Sequence, residues 1–175
     1  MYVDADFAGT WHQEYSELRD CALSRTGYII TYCNCPVHWA SKLQTEIALS
    51  TTESEYIALS MAARELIPLQ QIVMELHKHS LVSLPLDSPY STTHTHHLAT
   101  SEIYEDNASC IVLAYNDGTK TRTKHLSLKW HHFKDQLRSG RLKITKIDTN
   151  LNLPDILTKP LCKVKHTNLR RLLMG

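Results

Sequence analysis

Apolar positions follow two rhythms along this chain, and the change of rhythm marks its elements. Residues 25–33 are rich in β-branched and aromatic side chains, with Tyr28, Ile29, Ile30 and Tyr32 in one run, and predict a strand. Asn34, Cys35 and Pro36 predict a turn, and residues 37–41 the returning strand of a hairpin. From 48 to 77 the spacing becomes helical. Leu59, Ala62, Leu66, Leu69, Val73 and Leu76 form one apolar stripe, with Glu55 at its amino-terminal end. That position turns Glu55 toward the core, whereas Glu53 suits capping. Ser50 with Glu53, and Thr52 with Glu55, both have capping-box spacing. Pro68 lies inside this helix and predicts a kink or break.

Residues 84–100 hold Pro85, Pro89, several Ser and Thr, and His94, His96 and His97, and read as a loose connection. Residues 101–105 predict a strand, 107–115 a short helix, 127–139 an amphipathic helix and 142–147 an alternating strand. Asn152 is placed to cap a final helix with Pro154 in its first turn. Tyr2-Val3-Asp4 reads as the end of a strand whose beginning is missing, with Met1 an artefact of a fragment or of a gene model. The order strand, hairpin, helix, strand, helices is that of a mixed α/β domain.

A chain of 175 residues, 42% hydrophobic, suits one domain with a single core. No run of about 18 apolar residues suggests a membrane span. Five scattered cysteines, an odd number, fit a reduced intracellular protein. The Cys33-x-Cys35-x-x-His38 string has no second pair at zinc spacing, and predicts a hairpin with small buried cysteines. The net charge of +1 conceals a division. Of 19 Lys and Arg, 14 follow Asn116, against four of 18 acids, so the last third carries about +10 and the rest about −9. Such a basic tract supplies affinity for nucleic-acid phosphates. A solvated face with no partner would have the same composition.

Four acids stand in distinctive words. Asp4 lies in Tyr-Val-Asp-Ala-Asp, Glu55 at the head of the long helix, Asp106 at a strand end, and Asp155 in Leu-Pro-Asp-Ile-Leu. A carboxylate beside apolar neighbours is costly to bury uncompensated. Several converging on one point need a cation, and hard oxygen ligands suit Mg²⁺ or Mn²⁺.

Those words belong to an ordered series: Tyr2-Val-Asp-Ala-Asp-Phe-Ala-Gly9, Ser24-Arg-Thr-Gly-Tyr28, Trp39-Ala-Ser-Lys-Leu-Gln44, Ala48-Leu-Ser-Thr-Thr-Glu-Ser-Glu-Tyr-Ile-Ala58, Tyr104-Glu-Asp-Asn107, Arg122-Thr-Lys-His125 and Asp155-Ile-Leu-Thr-Lys-Pro-Leu161. The series closely resembles the ribonuclease H domain of copia-type LTR retrotransposon polyproteins. The resemblance implies a ribonuclease H-like fold, a mixed five-stranded sheet flanked by helices, here with its first strand truncated. It sets the domain at 1–161, with 84–100 as an insertion, and 162–175 as the carboxyl-terminal tail of the polyprotein. It implies a metal-dependent endonuclease that hydrolyses the RNA strand of RNA–DNA hybrids during reverse transcription. Two divalent cations, Mg²⁺ or Mn²⁺, would be held by Asp4, Glu55, Asp106 and Asp155. By that resemblance Asp4 bridges both ions, Glu55 and Asp106 complete one, and Asp155 holds the other.

Asp6 shares a strand face with Asp4 and is its rival; a polar strand end is the preferred reading of Asp6. Lys120, Arg122 and Lys124 are candidate phosphate contacts. Ser24, Asn107 and Ser109 could reach the RNA, although each also suits a turn or cap. His125 and His131 match family positions, where a structural hydrogen bond is expected of each. Residues 148–154 hold no histidine, which leaves any proton shuttle unassigned. The implied partner is the reverse transcriptase portion of the same polyprotein, in a cytoplasmic retrotransposon particle. The rival reading is an inactive or repurposed fragment that folds, or binds nucleic acid, without cutting. An integrase-type domain is disfavoured, because its glutamate would sit on a late helix.

Overall fold

Strand β1 (Tyr2–Asp6) is the central strand of a five-stranded sheet ordered β3-β2-β1-β4-β5. The structure, a computed structural model, describes residues 1–15, 17–82, 100–116 and 132–175. β2 (Arg25–Tyr32) runs antiparallel to β1, and β3 (Cys35–Leu43) antiparallel to β2. On the other side β4 (Ser101–Glu105) and β5 (Leu142–Lys146) extend the sheet in parallel. A short helix, α1 (Arg19–Ala22), lies before β2. This is the mixed sheet flanked by helices expected of a ribonuclease H-like fold.

The hairpin turn falls one residue earlier than the sequence suggests. Cys33 and Asn34 both adopt positive φ, 49° and 62°, which matches the right-handed twist of paired strands. Cys35 and Pro36 therefore belong to β3. Pro36 is tolerated there because β3 is an edge strand, and it sits beside the register shift between Ile30 and Thr31. Cys33 and Cys35 are exposed, against the expectation of buried thiols, because they flank a solvent-facing turn.

Helix α2 (Thr51–Lys78) opens on Ser50, whose hydroxyl accepts the Glu53 amide at 3.2 Å, while Glu53 Oε2 accepts the Leu49 amide at 2.9 Å. Tyr56, Leu59, Ala62, Ala63 and Leu66 bury its inner face against Val3, Ala5, Ile30 and Ile103. The stripe weakens toward the end, where Leu76 is exposed. No break occurs at Pro68. Pro68 stands on the exposed face, where water can serve the carbonyl one turn back, and the buried face holds the helix on the sheet. Pro68→Ala restores the missing donor, so it should stabilise the protein by about 1–2 kcal/mol, less than the full proline cost because the unfolded chain also loosens. A thermal melt that rises by several degrees is expected; an unchanged or lower midpoint would contradict it.

Helices α3 (Ala108–Tyr115) and α4 (Lys134–Arg138) cover the same face as α2. Phe133, fully buried, meets the Tyr56 ring at 5.5 Å between centroids. The opposite face is covered by α5 (Asp155–Thr158) and α6 (Lys163–Met174), where Ile29, Leu153 and Leu169 form a smaller apolar cluster. Residues 163–174 of the expected tail are thus helical, with Leu169 fully buried. Asn152 does not cap α5; Pro154 precedes that helix, and the Asn152 amide donates instead to the Val3 carbonyl at 2.9 Å. The buried Val3 carbonyl needs that partner. The expected connection at 84–99 and the expected helix before residue 132 lie outside the described residues. So do Lys120, Arg122, Lys124, His94, His96, His97, His125 and His131.

Candidate metal centre

Strand alternation in β1 sends Val3 and Ala5 into the larger core and leaves Asp4, fully buried, toward α5. Glu55 arrives on the first turns of α2. Gln44 pins that turn, since its amide donates to the Ser54 carbonyl at 2.8 Å and to the Thr26 hydroxyl at 3.0 Å. Asp106 follows β4 directly. Asn107 then caps α3 by accepting the Cys110 amide at 3.0 Å, which leaves Asp106 half-buried between strand and helix. These three elements bring one oxygen each of Asp4, Glu55 and Asp106 within 4.8 Å of one another.

Asp155 is not a member of that cluster. It is fully buried on α5, and an ammonium joins it to Asp4: Lys159 Nζ donates to Asp4 Oδ1 and to Asp155 Oδ1, at 2.8 Å each. Lys165, from α6, donates to Asp155 Oδ2, and the Thr158 hydroxyl donates to Asp4 Oδ2. Asp6 also stays apart, folded over Gly9, where an added Cβ would lie only 1.6 Å from its Oδ2. Ser24 accepts the Ala8 amide at 3.2 Å, so its hydroxyl serves the backbone.

Gly27 lets α5 come this close. It pairs with Asp4 across the sheet, and a Cβ there would stand 2.5 Å from Thr158 Cγ2 and 3.2 Å from the Pro154 carbonyl. Gly27→Ala should therefore cost about 1–3 kcal/mol by overpacking and push α5 away from β1. Urea unfolding measures this, and an unaltered midpoint would refute the close contact.

The electrostatics are those of buried acids, with lysine ammonium groups on the Asp4 and Asp155 side. Burial raises the Glu55 carboxyl well above its ordinary range, and the charges of Glu105, Asp4 and Asp106 raise it further. Burial likewise raises Asp4, against the pull of Lys159. Burial opposes the charge on Lys159, yet Asp4 and Asp155 overcome it and hold the ammonium above the usual lysine value. The sequence reading passed over Glu105, which is fully buried. Its Oε1 accepts the Asn107 amide at 3.0 Å and its Oε2 has no partner. Its place two residues after Ile103, on the core-facing side of β4, was the available signal. Thr158 and Lys159 were likewise present in the motif without a role; the i,i+4 spacing of Asp155 and Lys159 was the clue.

The donor set fits a divalent cation. Glu55 Oε2 is buried with no hydrogen-bond partner, beside two other carboxylates, a deficit that a hard cation would remove. Asp155 offers no such vacancy, because each of its oxygens already accepts an ammonium.

Over 158 residues, 90% of its length, the chain is 35% identical to the retrovirus-related Pol polyprotein from transposon TNT 1-94 of Nicotiana tabacum. It is 31% identical over 170 residues, 97% of its length, to that from transposon RE2 of Arabidopsis thaliana. Transposon RE1 of the same plant gives 29% over 167 residues, 95% of this chain. The chain spans 10% of the length of each of these relatives. No family model and no solved structure matches it. The chain belongs to the retrovirus-related Pol polyproteins of copia-type transposons, as the counterpart of a short segment of them.

Proposed function

We propose that this segment is a ribonuclease H domain, a metal-dependent endonuclease that cuts the RNA strand of RNA–DNA hybrids. One observation carries the reading: Asp4, Glu55 and Asp106 converge from β1, α2 and β4, with a buried Glu55 oxygen left unpartnered. A bound divalent cation, Mg²⁺ or Mn²⁺, would supply water activation and stabilisation of the leaving oxygen. The chain's own part is to hold the carboxylates in place. Asp4 is fixed by the two flanking strands and by Thr158; Glu55 by the Gln44 clamp on α2; Asp106 by the Asn107 cap. Asp155 is the fourth acid of the proposed site, one lysine away from Asp4. The hybrid would be gripped by the basic last third of the chain, including Lys120, Arg122 and Lys124, and the reverse transcriptase portion of the polyprotein would be its partner in the cytoplasm. Among the described residues no helix is long and apolar enough to cross a membrane.

The test is cleavage of a labelled RNA–DNA hybrid with Mg²⁺ or Mn²⁺, beside Asp106→Asn. Cutting that vanishes in the variant is expected. Cutting that persists in it would remove the site. Hybrid binding with no cutting by either protein would favour the fragment that folds and binds without catalysis.

A further inference from the structure

Resting on that reading, we propose that Lys159 is a built-in occupant of the second cation position, so that the chain without nucleic acid binds one divalent ion. Its ammonium stands between Asp4 Oδ1 and Asp155 Oδ1, at 2.8 Å from each. Those are the two acids that a second ion would have to join. The remaining oxygens of the pair are also engaged, Asp4 Oδ2 by Thr158 and Asp155 Oδ2 by Lys165. A cation entering between Asp4 and Asp155 would meet the Lys159 ammonium in its path and a second ammonium, Lys165, on Asp155.

The cluster of Asp4, Glu55 and Asp106 shares Asp4 with that pair and differs at its other two acids. It has an unpartnered buried oxygen, and none of the hydrogen bonds named here ties a lysine to Glu55 or Asp106. The first ion goes there and shares Asp4 with Lys159. Opening the second position requires that Lys159 leave Asp4 Oδ1 and Asp155 Oδ1, while Thr158 and Lys165 go on holding the other two oxygens. Both aspartates are fully buried, whereas the Lys159 side chain is 30% exposed and can swing toward solvent. A nucleic-acid phosphate arriving at the site offers it a new partner as it leaves. Lys159 is therefore a positioning residue that couples the second cation to substrate.

The experiment counts Mn²⁺ sites on the folded protein without nucleic acid, by calorimetry and by the paramagnetic resonance of free Mn²⁺. Wild type should bind one ion. Lys159→Met should bind two, and the added site should vanish in Lys159→Met combined with Asp155→Asn. Two sites in wild type, or one site in folded Lys159→Met, would overturn the proposal. No site at all in wild type would instead overturn the metal-centre reading beneath it. If Lys159→Met fails to fold, anomalous scattering from wild-type crystals soaked in Mn²⁺ decides the matter. A single peak among Asp4, Glu55 and Asp106 supports the proposal, and a peak between Asp4 and Asp155 refutes it.

Discussion

Asp4→Asn should abolish cleavage of an RNA–DNA hybrid, with a fall of at least about a hundredfold to a thousandfold, and should destabilise the fold as well. Both effects follow from the two sets of neighbours that Asp4 serves. On one side it meets Glu55 and Asp106, where loss of its charge removes a hard ligand. On the other side its two oxygens accept Lys159 and Thr158. An amide cannot accept on both sides. With its NH₂ toward Lys159 two donors meet; turned the other way it donates to the Thr158 hydroxyl, whose proton passes to the Pro154 carbonyl, and Lys159 then keeps a neutral acceptor in place of a carboxylate. The loss in stability should be about 1–3 kcal/mol. Asp106 makes neither contact, so Asp106→Asn should lose cleavage while its urea midpoint stays close to that of the wild type. The pair of variants thus separates the chemistry from the scaffold. An Asp4→Asn protein that cuts within about tenfold of the wild type would discard Asp4 as the pivot of the site.

The second large effect is a stability that falls as pH rises in the metal-free protein, and a divalent cation should remove that fall for the acids that hold it. Glu55, Glu105 and Asp4 all have folded-state carboxyls raised above their ordinary values, in each case by burial first. A raised acid means that the folded protein keeps a proton that the unfolded chain releases. Below the ordinary values, 4.5 for the glutamates and 3.8 for Asp4, both states are protonated and the contribution is complete. As pH rises past them the unfolded chain ionises first, and stability falls until the folded groups ionise too. The metal-free protein should therefore lose on the order of 1 kcal/mol per pH unit for each such group still protonated in the fold.

Glu105→Gln removes one of these groups and keeps the acceptor for the Asn107 amide. It should match the wild type near pH 4 and exceed it increasingly toward about pH 8. Saturating Mg²⁺ should stabilise more as pH rises, because ligand carboxylates must be ionised to bind. Thermal melts in chelator and in Mg²⁺ across that range measure both trends. A Glu105→Gln curve running parallel to the wild type would show that Glu105 is ionised in the fold throughout.

The helix and strands with long, regular spacing are legible in the sequence itself. α2 was expected over 48–77 and runs from Thr51 to Lys78, because its stripe repeats over many turns. β4, α3 and β5 also fall within a residue or two of their expected positions. The errors are local competitions. Cys33 and Asn34 took the turn because a tight hairpin needs two residues at positive φ, and Pro36 can sit in an edge strand. Pro68 did not break α2, because burial of a whole helical face outweighs one missing exposed hydrogen bond. Asn152 left the helix end for the Val3 carbonyl, a partner 149 residues away in the chain.

The candidate site divides in the same way. The amino-acid order alone placed Asp4 on a strand, Glu55 at the head of a helix and Asp106 at a strand end, because each lies in a short word whose local geometry is determined by its neighbours. That was enough to name the acids. Which of them touch was settled by the packing of β1 between β2 and β4, and by the approach of α5 over Gly27. Sequence spacing carries no distance between elements joined by long connections. It shows that Lys159 can reach Asp155 and that Glu105 faces the core, but not that three acids meet, that Lys159 also reaches Asp4, or that one Glu105 oxygen is left without a partner. Those facts depend on burial and charge summed over the whole fold, which come into being only when the sheet and its helices close.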